Sequence, residues 1–154
     1  NKSFDEKSGL DDNYSDFVGR IAYNQSNIWD LSYRFRVDKD DFSFKRNEFN
    51  IDYSYSKLKF DFDYLYLKEE SSDEDERQEI FASSEIQVNN FIKISADARR
   101  DLTDDGGMIY SSANIYYLGD CVNTTISLLR EFTRDRDVEP ATSITFQVSL
   151  KNLN

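Results

Sequence analysis

Apolar and polar residues alternate along most of this chain, and the alternation is its strongest structural signal. In the segment Trp29–Val37 (WDLSYRFRV), apolar residues occupy the odd positions and polar residues occupy all of the even ones. The segment LKFDFDYLY, residues 58–66, begins in the same way. A period of two residues is typical of a β-strand with one apolar and one polar face. No stretch shows a convincing helical repeat of 3.6 residues, so the pattern predicts an all-β protein.

The alternation divides the chain into about nine predicted strands. They cover residues 17–23, 29–37, 48–55, 58–66, 80–88, 92–98, 109–117, 122–132 and 142–150. Neighbouring segments are close in sequence and have turn-forming residues between them, which favours hairpins. We therefore expect an antiparallel up-and-down meander.

The connections between the predicted strands alternate in length. Short ones lie near residues 24–28, 56–57, 89–90 and 118–120, and long polar ones lie near 38–47, 68–78, 100–107 and 131–141. Outer-membrane β-barrels have short turns on the periplasmic side and longer loops outside. A soluble lipocalin-like barrel also has period-two strands, but it hides its apolar face inside. The sorted connections favour the membrane barrel and leave the C-terminus on the short-turn side.

The two predicted faces differ in chemistry. The polar positions carry charges of both signs, as a hydrated barrel interior would; they include Arg34, Arg36, Glu48, Asp52, Lys59, Asp61, Asp63, Glu85, Lys93, Asp97 and Arg99. The apolar positions are rich in Tyr and Phe, and Tyr23 and Trp29 flank a short turn as an interfacial aromatic belt would. A β-sandwich core would also use such residues. We expect the apolar positions to face lipid; they include Tyr33, Phe35, Ile51, Tyr53, Phe60, Phe62, Ile126, Ile144, Phe146 and Val148.

Composition excludes several functional classes. The 154 residues contain 19 Lys and Arg against 30 Asp and Glu, and the net charge of -11 argues against a nucleic-acid surface. Histidine is absent, which removes the commonest general base and metal ligand, and a Ser–His–Asp triad within the chain. The single cysteine excludes an internal disulfide. We therefore expect no enzyme activity, no metal and no cofactor.

The odd strand count and the first residue suggest a piece of a larger barrel. Single-chain bacterial barrels almost always have an even number of strands, and the sequence starts at Asn1 rather than Met. We expect residues 1–15 to be a polar lead-in and residues 16–154 to be a partial transmembrane barrel.

Three segments resemble a known family. YRFRVDKDDFSFKRNEFNIDYSY (33–55), SADARRDL (95–102) and YLGDCVNTTISLLREFTRDRDVEPATSITFQVSLKNL (117–153) are similar to the C-terminal barrel of LptD, the outer-membrane lipopolysaccharide-assembly protein, in its alphaproteobacterial form. The resemblance covers about residues 16–153 and is most specific at Asp120–Cys121 and Arg134–Pro140. It implies a large barrel in the cell outer membrane of a Gram-negative bacterium.

The resemblance also implies cargo and partners. The cargo is lipopolysaccharide, received from a periplasmic bridge protein through an N-terminal domain, and a plug lipoprotein (LptE-like) fills the barrel. Cargo leaves sideways where the first and last strands meet. The last predicted strand would form this seam, with Thr142, Ile144, Phe146, Val148 and Leu150 on one face.

Two further sites follow from the resemblance. Family members link the barrel to the N-terminal periplasmic domain through cysteines in this region, so Cys121 is a disulfide candidate. An ordered outer loop would consist of Arg134, Asp135, Arg136, Asp137 and Pro140.

The acidic stretch 68–79 suggests a solvated loop or a divalent-cation site, and it lacks the spacing of a defined calcium loop. A porin-like passive channel and a soluble lipid-binding barrel are the alternative functions.

Overall fold

The computed structural model describes residues 15–26, 28–68, 76–104, 106–132 and 139–151. Within these ranges the chain forms nine strands: β1 (Phe17–Gln25), β2 (Trp29–Val37), β3 (Phe44–Tyr55), β4 (Leu58–Leu67), β5 (Arg77–Gln87), β6 (Ile92–Asp101), β7 (Met108–Leu118), β8 (Val122–Glu131) and β9 (Thr142–Leu150). Each strand pairs antiparallel with the next in one sheet of order β1 to β9. The predicted nine-stranded meander is confirmed. No helix in the described ranges is long and apolar enough to cross a membrane.

Two strands begin earlier than the alternation indicates. β3 starts at Phe44, inside the stretch that we expected to be a loop, because Arg46 and Asn47 pair with Leu67 and Tyr66 of β4. β5 starts at Arg77 rather than at residue 80. Apart from Phe44, both extensions are mostly polar, so a hydrophobic pattern does not detect them, whereas the backbone ladder continues regardless of side-chain polarity.

The register places the predicted apolar positions on one face of the sheet. Residues directly opposite each other in an antiparallel pair share a face, and Tyr33 lies opposite both Ile21 and Phe49. Ile126 lies opposite both Ile115 and Phe146. The same rule places all of the charged positions named above on the other face. The predicted division into an apolar and a polar face is therefore present in the paired sheet.

The sheet has no hydrophobic core in the part of the chain that the structure describes. Among the described residues the one buried side chain is polar, Ser32, and no hydrophobic side chain is buried. Ile21, Phe146 and Ile144 are 65 %, 66 % and 74 % exposed. A soluble domain would cover such a face with a second layer. This apolar face contacts no second layer of described residues.

The sheet curves toward its polar face. Along β6 and β7 the polar-face residues Ser95, Asp97 and Asn114 are half-buried, whereas the apolar-face residues Ile94 and Ile115 are exposed. Arg34 of β2 and Arg99 of β6 line one cleft, although four strand spacings would separate them by about 19 Å in a flat sheet. The polar face is therefore concave and the apolar face convex.

The strands are tilted relative to the line of the turns. One row of paired residues runs across the sheet through Gln25, Trp29, Tyr53, Phe60, Ser84, Ala96, Ala113, Leu128 and Ile144. This row meets β1 at its last residue but meets β9 well inside the strand, which ends at Leu150. With the short turns level, an offset of about six residues corresponds to a tilt of roughly 30°. Closure into a barrel requires such a tilt.

The connections sort to the two ends of the sheet as predicted. The strand ends that border the short turns β1–β2, β3–β4, β5–β6 and β7–β8 lie at one end of the sheet, and the strand ends that border the longer connections lie at the other. Ser56 takes a positive φ of 55° in the tight β3–β4 turn, a conformation that reverses a strand in few residues. β9 ends on the short-turn side, where the backbone N–H of Lys151 donates to the carbonyl oxygen of Cys121 at 2.8 Å.

Candidate functional site

Charged side chains on the concave face of β2–β6 are paired with one another. Three glutamates each contact two basic side chains. The contacts are Arg34–Glu48 (3.4 Å), Arg46–Glu48, Arg77–Glu79 (2.5 Å), Arg99–Glu79 (3.9 Å), Lys93–Glu85 (2.9 Å) and Lys59–Glu85 (3.9 Å). Four of the six pairs join neighbouring strands, so they hold the side chains of this charged face of β2–β6, which we call the charged wall, against each other.

Uncharged groups on the same strands complete this network. The Ser32 hydroxyl donates to Asn50 Oδ1 at 3.0 Å, and Asn50 Nδ2 donates to Asp63 at 2.7 Å. Ser83 donates to Asp61 at 2.6 Å. These short bonds to carboxylates are charge-assisted and stronger than bonds between neutral groups.

A cleft of about 220 Å³ lies within the charged wall. Arg34, Arg77 and Arg99 line it together with Glu48 and Glu79, and the Arg99 guanidinium also stands 5.7 Å from the ring centre of Phe81. Asp63 also lines the cleft, so three arginines face three carboxylates and the cleft is balanced in charge rather than strongly cationic.

The concave face of β7–β9 has a different composition. Apart from Glu131 at the end of β8, its positions are uncharged: Tyr110, Ser112, Asn114, Tyr116, Asn123, Thr125, Ser127, Leu129, Ser143, Thr145, Gln147 and Ser149. On β7, Ser112 donates to Asp97 of β6 at 2.6 Å and Asn114 donates to Ser95 at 3.3 Å. Farther from the charged wall, the face consists of hydroxyl and amide groups.

The predicted seam residues occupy the convex face of the last strand. Thr142, Ile144, Phe146, Val148 and Leu150 are all exposed. One edge of β9 pairs with β8, as in the opposition of Ile126 and Phe146. Its other edge has no partner strand among the described residues. The backbone N–H and C=O groups of this edge can therefore accept another strand.

Cys121 lies in the short turn between β7 and β8 and is an exposed, free thiol within the described ranges. The side chain of Lys151 donates to the carbonyl oxygen of Gly119 at 3.0 Å, in the same turn. The end of β9 is thus tied to the turn that carries the cysteine.

Part of the predicted outer loop can be placed. Pro140 is exposed and precedes β9, while Arg134, Asp135, Arg136 and Asp137 lie outside the described residues, as do residues 69–75 of the acidic stretch. Among the residues that the structure does describe, no group of three or more acidic or cysteine side chains could hold a metal ion.

The loop between β2 and β3 is an ordered feature that the sequence reasoning missed. Asp38 accepts hydrogen bonds from Lys45 Nζ (2.7 Å) and from the backbone N–H groups of Asp40 (2.7 Å) and Asp41 (3.2 Å). These contacts hold the pKa of Asp38 well below its ordinary value. The Lys45 ammonium has the largest effect, and the two backbone N–H groups add to it. The signal was available, because an aspartate that accepts from the backbone two or three residues later is a common turn device.

Together these features define the class of protein. A tilted sheet with an uncovered apolar convex face, a charged concave face and connections sorted by length is typical of the wall of an outer-membrane β-barrel. The profile of the LptD family, described as LPS transport system D, matches residues 1–99. The match covers more than half of the chain, so the chain belongs to the LptD family, whose members are outer-membrane proteins of lipopolysaccharide transport in Gram-negative bacteria. No match was found among curated proteins.

The family assignment agrees with the sequence resemblance, but the matched region differs. The match includes β1 to β5 and most of β6. It does not include Asp120–Cys121 or Arg134–Pro140, which we took as the most specific segments. The roles of Cys121, β9 and the last loop therefore remain predictions.

Proposed function

We propose that this chain is the C-terminal part of the barrel of an LptD protein of the alphaproteobacterial type, and that β9 forms one side of a lateral exit for lipopolysaccharide. The observation that carries the proposal is the combination of family membership with an amphipathic last strand whose outer edge has no partner among the described residues. In this proposal residues 16–154 form the partial barrel and residues 1–15 lead into it.

The two faces of β9 fit a cargo that has both lipid and sugar. Ile144 and Phe146 project from the convex face, where acyl chains would meet them, and Thr145 and Gln147 project from the concave face. A molecule that passes this edge could keep its apolar part outside the barrel and its polar part inside. A soluble lipid-binding barrel is less consistent with this sheet, because it would curve toward its apolar face.

The partners follow from the same proposal. A plug lipoprotein would face the concave side of the sheet, where the paired charges of β2–β6 offer a rigid polar wall. The periplasmic bridge would deliver cargo from the short-turn side through an N-terminal domain. The segment from Arg134 to Pro140, with Arg134, Asp135, Arg136 and Asp137, would form an ordered loop on the opposite side.

Disulfide trapping tests the lateral exit. We expect a cysteine at Thr145 or Gln147 to crosslink to a cysteine on the first strand of the full-length barrel and to stop lipopolysaccharide from reaching the cell surface. The matched control is a cysteine at Thr125, on the same face of β8, which is paired on both sides and should not crosslink. Normal surface lipopolysaccharide in crosslinked cells would contradict an exit at this edge.

A second experiment tests Cys121. A thiol on the periplasmic side meets an oxidising environment, so we expect Cys121 to form a disulfide with the N-terminal periplasmic domain. The full-length protein should then migrate faster on a non-reducing gel than on a reducing gel, and Cys121→Ser should abolish the difference. A cysteine introduced at Ser149, which lies at the same short-turn end of the sheet as Cys121, provides a control thiol. Complete labelling of Cys121 by a thiol reagent in the unreduced mature protein would show that no disulfide forms.

A further inference from the structure

The polar groups on the concave face fall into two sets that differ in whether they have partners. On β2–β6 many carboxylates and amides are bonded to neighbouring strands, as in the chain from Ser32 through Asn50 to Asp63. On β8 and β9 the side chains of Thr125, Ser127, Thr145 and Gln147 form no hydrogen bond with any described residue. Their donors and acceptors are therefore available.

One atom beside this set is buried without a partner. The Oδ1 atom of Asn123 accepts no hydrogen bond among the described residues, although it is shielded by the protein. Asn123 lies opposite Ser149 at the short-turn end of the same face. Because a buried polar atom without a partner is costly, this amide marks a place where a ligand or water would be favoured.

These residues form a continuous surface, which we call the hydroxyl–amide track. It consists of three cross-strand pairs, Asn123–Ser149, Thr125–Gln147 and Ser127–Thr145. Residues that alternate along a strand share a face, so the three pairs stack along β8 and β9 over roughly 13 Å. The track contains no charge and borders the free edge of β9.

Hydroxyl and amide groups can both donate and accept hydrogen bonds. A sugar hydroxyl has the same dual capacity, whereas a phosphate presents acceptor oxygens and negative charge that favour Arg or Lys. The track therefore complements an uncharged sugar better than a phosphorylated one.

We propose that the hydroxyl–amide track binds the uncharged sugar units of lipopolysaccharide while the cargo passes the β9 edge. The inference rests on the proposed transport function and adds the location and the preferred part of the cargo. The track guides neutral sugars through exchangeable hydrogen bonds along β8 and β9. On β2–β6 most polar side chains are already hydrogen-bonded or ion-paired to other side chains, so these strands offer a fixed polar surface rather than available hydrogen-bonding groups.

Photocrosslinking in the full-length protein, in the outer membrane, tests the proposal. A photoreactive residue is placed at Thr125 or Thr145 in the track, at Ser83 in the charged wall, and at Ile144 on the convex face of β9. The cells carry either lipopolysaccharide with its complete sugar chain or a form truncated close to its lipid. Since one hydrogen bond is worth about fivefold in affinity, we expect crosslinks in the track to be at least about fivefold stronger than at Ser83. They should fall by a similar factor with the truncated form.

The outcomes separate the track from the transport function. Crosslinks at Ile144 together with equal yields at Ser83 and Thr125, or with track yields unaffected by truncation, would overturn the track while leaving transport intact. No lipopolysaccharide crosslink at any position, Ile144 included, would overturn both.

Two substitutions extend the test to export. Gln147→Leu removes both hydrogen-bonding groups, and Gln147→Asn retains them. We expect Gln147→Leu to slow surface delivery of the full-sugar form about fivefold with little effect on the truncated form, and Gln147→Asn to restore delivery. Equal slowing of both forms would indicate a structural defect and would contradict the proposal.

Discussion

Strands β2–β4 and strands β7–β9 belong to the same sheet but differ in the side chains on both of their faces. The first group carries aromatic residues on its convex face, such as Trp29 and Tyr53, whose rings lie 4.5 Å apart, and interlocked polar groups on its concave face. Apart from Tyr117 and Phe146, the second group carries smaller apolar residues such as Ala113, Ile115 and Ile126 outside, and it carries hydroxyl and amide groups inside. The backbone ladder runs through both groups, with one register shift at Arg36/Val37 between β2 and β3 and none in β7–β9.

The same alternation of polar and apolar positions can therefore either lock neighbouring strands together or leave polar groups available for binding. Side-chain bonds between strands, as in β2–β4, add to the ladder and hold the wall in one geometry. Strands β8 and β9 have no side-chain hydrogen bond to each other among the described residues, so the polar groups of their concave face are available to other molecules. Rigidity therefore lies away from the free edge, and available chemistry lies beside it.

The largest expected effect is the loss of stability caused by an arginine on the convex face. It tests whether this face contacts lipid in both groups of strands, despite their different compositions. Phe62→Arg in β4 and Ile126→Arg in β8, both near mid-strand, should each lower the free energy of unfolding in lipid vesicles by roughly 2–4 kcal/mol, because a charge near the bilayer midplane is costly. Denaturant titration of the full-length barrel measures this. The matched control is Ser127→Arg on the concave face, which should cost far less. A similar cost at residues 126 and 127 would contradict the assignment of faces.

A smaller effect should separate the two concave faces. Asn50→Leu removes the partner of Ser32 and of Asp63, so it should lower the free energy of unfolding by about 1–3 kcal/mol. Thr125→Val is nearly isosteric and breaks no bond between described residues, so its effect should stay within about 0.5 kcal/mol. The same denaturant titration compares the two variants. Equal losses would mean that β8 is as tightly bonded through its side chains as β3.

The smallest effect is confined to the loop between β2 and β3. The pKa of Asp38 is lowered in the folded state, so its contribution is present above the ordinary value of 3.8 and is lost only as the pH falls through the lower folded pKa. Hydrogen exchange should show the Asp40 and Asp41 amides still protected at about pH 3, where an ordinary aspartate is mostly protonated.

A matched pair of variants checks that the carboxylate of Asp38 causes this protection. Asp38→Asn should reduce the protection of both amides at neutral pH. Asp40→Asn should not, since the Asp40 carboxylate contacts Lys39 on the loop surface rather than the loop backbone. Unchanged protection in Asp38→Asn would show that the strand ends alone hold the loop.

Much of the fold could be predicted from the sequence. The alternation in segments such as Trp29–Val37 predicted the strands, their order and their two faces, because a pleated strand turns successive side chains to opposite sides. The polar starts of β3 and β5 could not be found in this way, since Arg46 and Arg77 carry no hydrophobic signal. The family was also recognisable, although the matched residues 1–99 include neither of the two segments that we took as most specific, Asp120–Cys121 and Arg134–Pro140.

Less of the candidate site could be predicted from the sequence. The seam residues Ile144 and Phe146 could be placed on one face, and Cys121 on the short-turn side, by counting alone. The partners of Asn50 and Asp61 could not, because each bond depends on which residue lies opposite in the next strand.

The sequence by itself determined the period, the number of strands, the chemistry of the two faces and the sorting of the connections, because all of these depend on local order along the chain. Only the tertiary structure decided the register, the direction of curvature and the pairing of polar groups. A shift of one residue between strands would turn every side chain of a strand to the other face, and a shift of two would keep the faces but exchange every partner. The hydrogen bonds of β2–β6 and the unpaired groups of β8 and β9 therefore depend on contacts between strands.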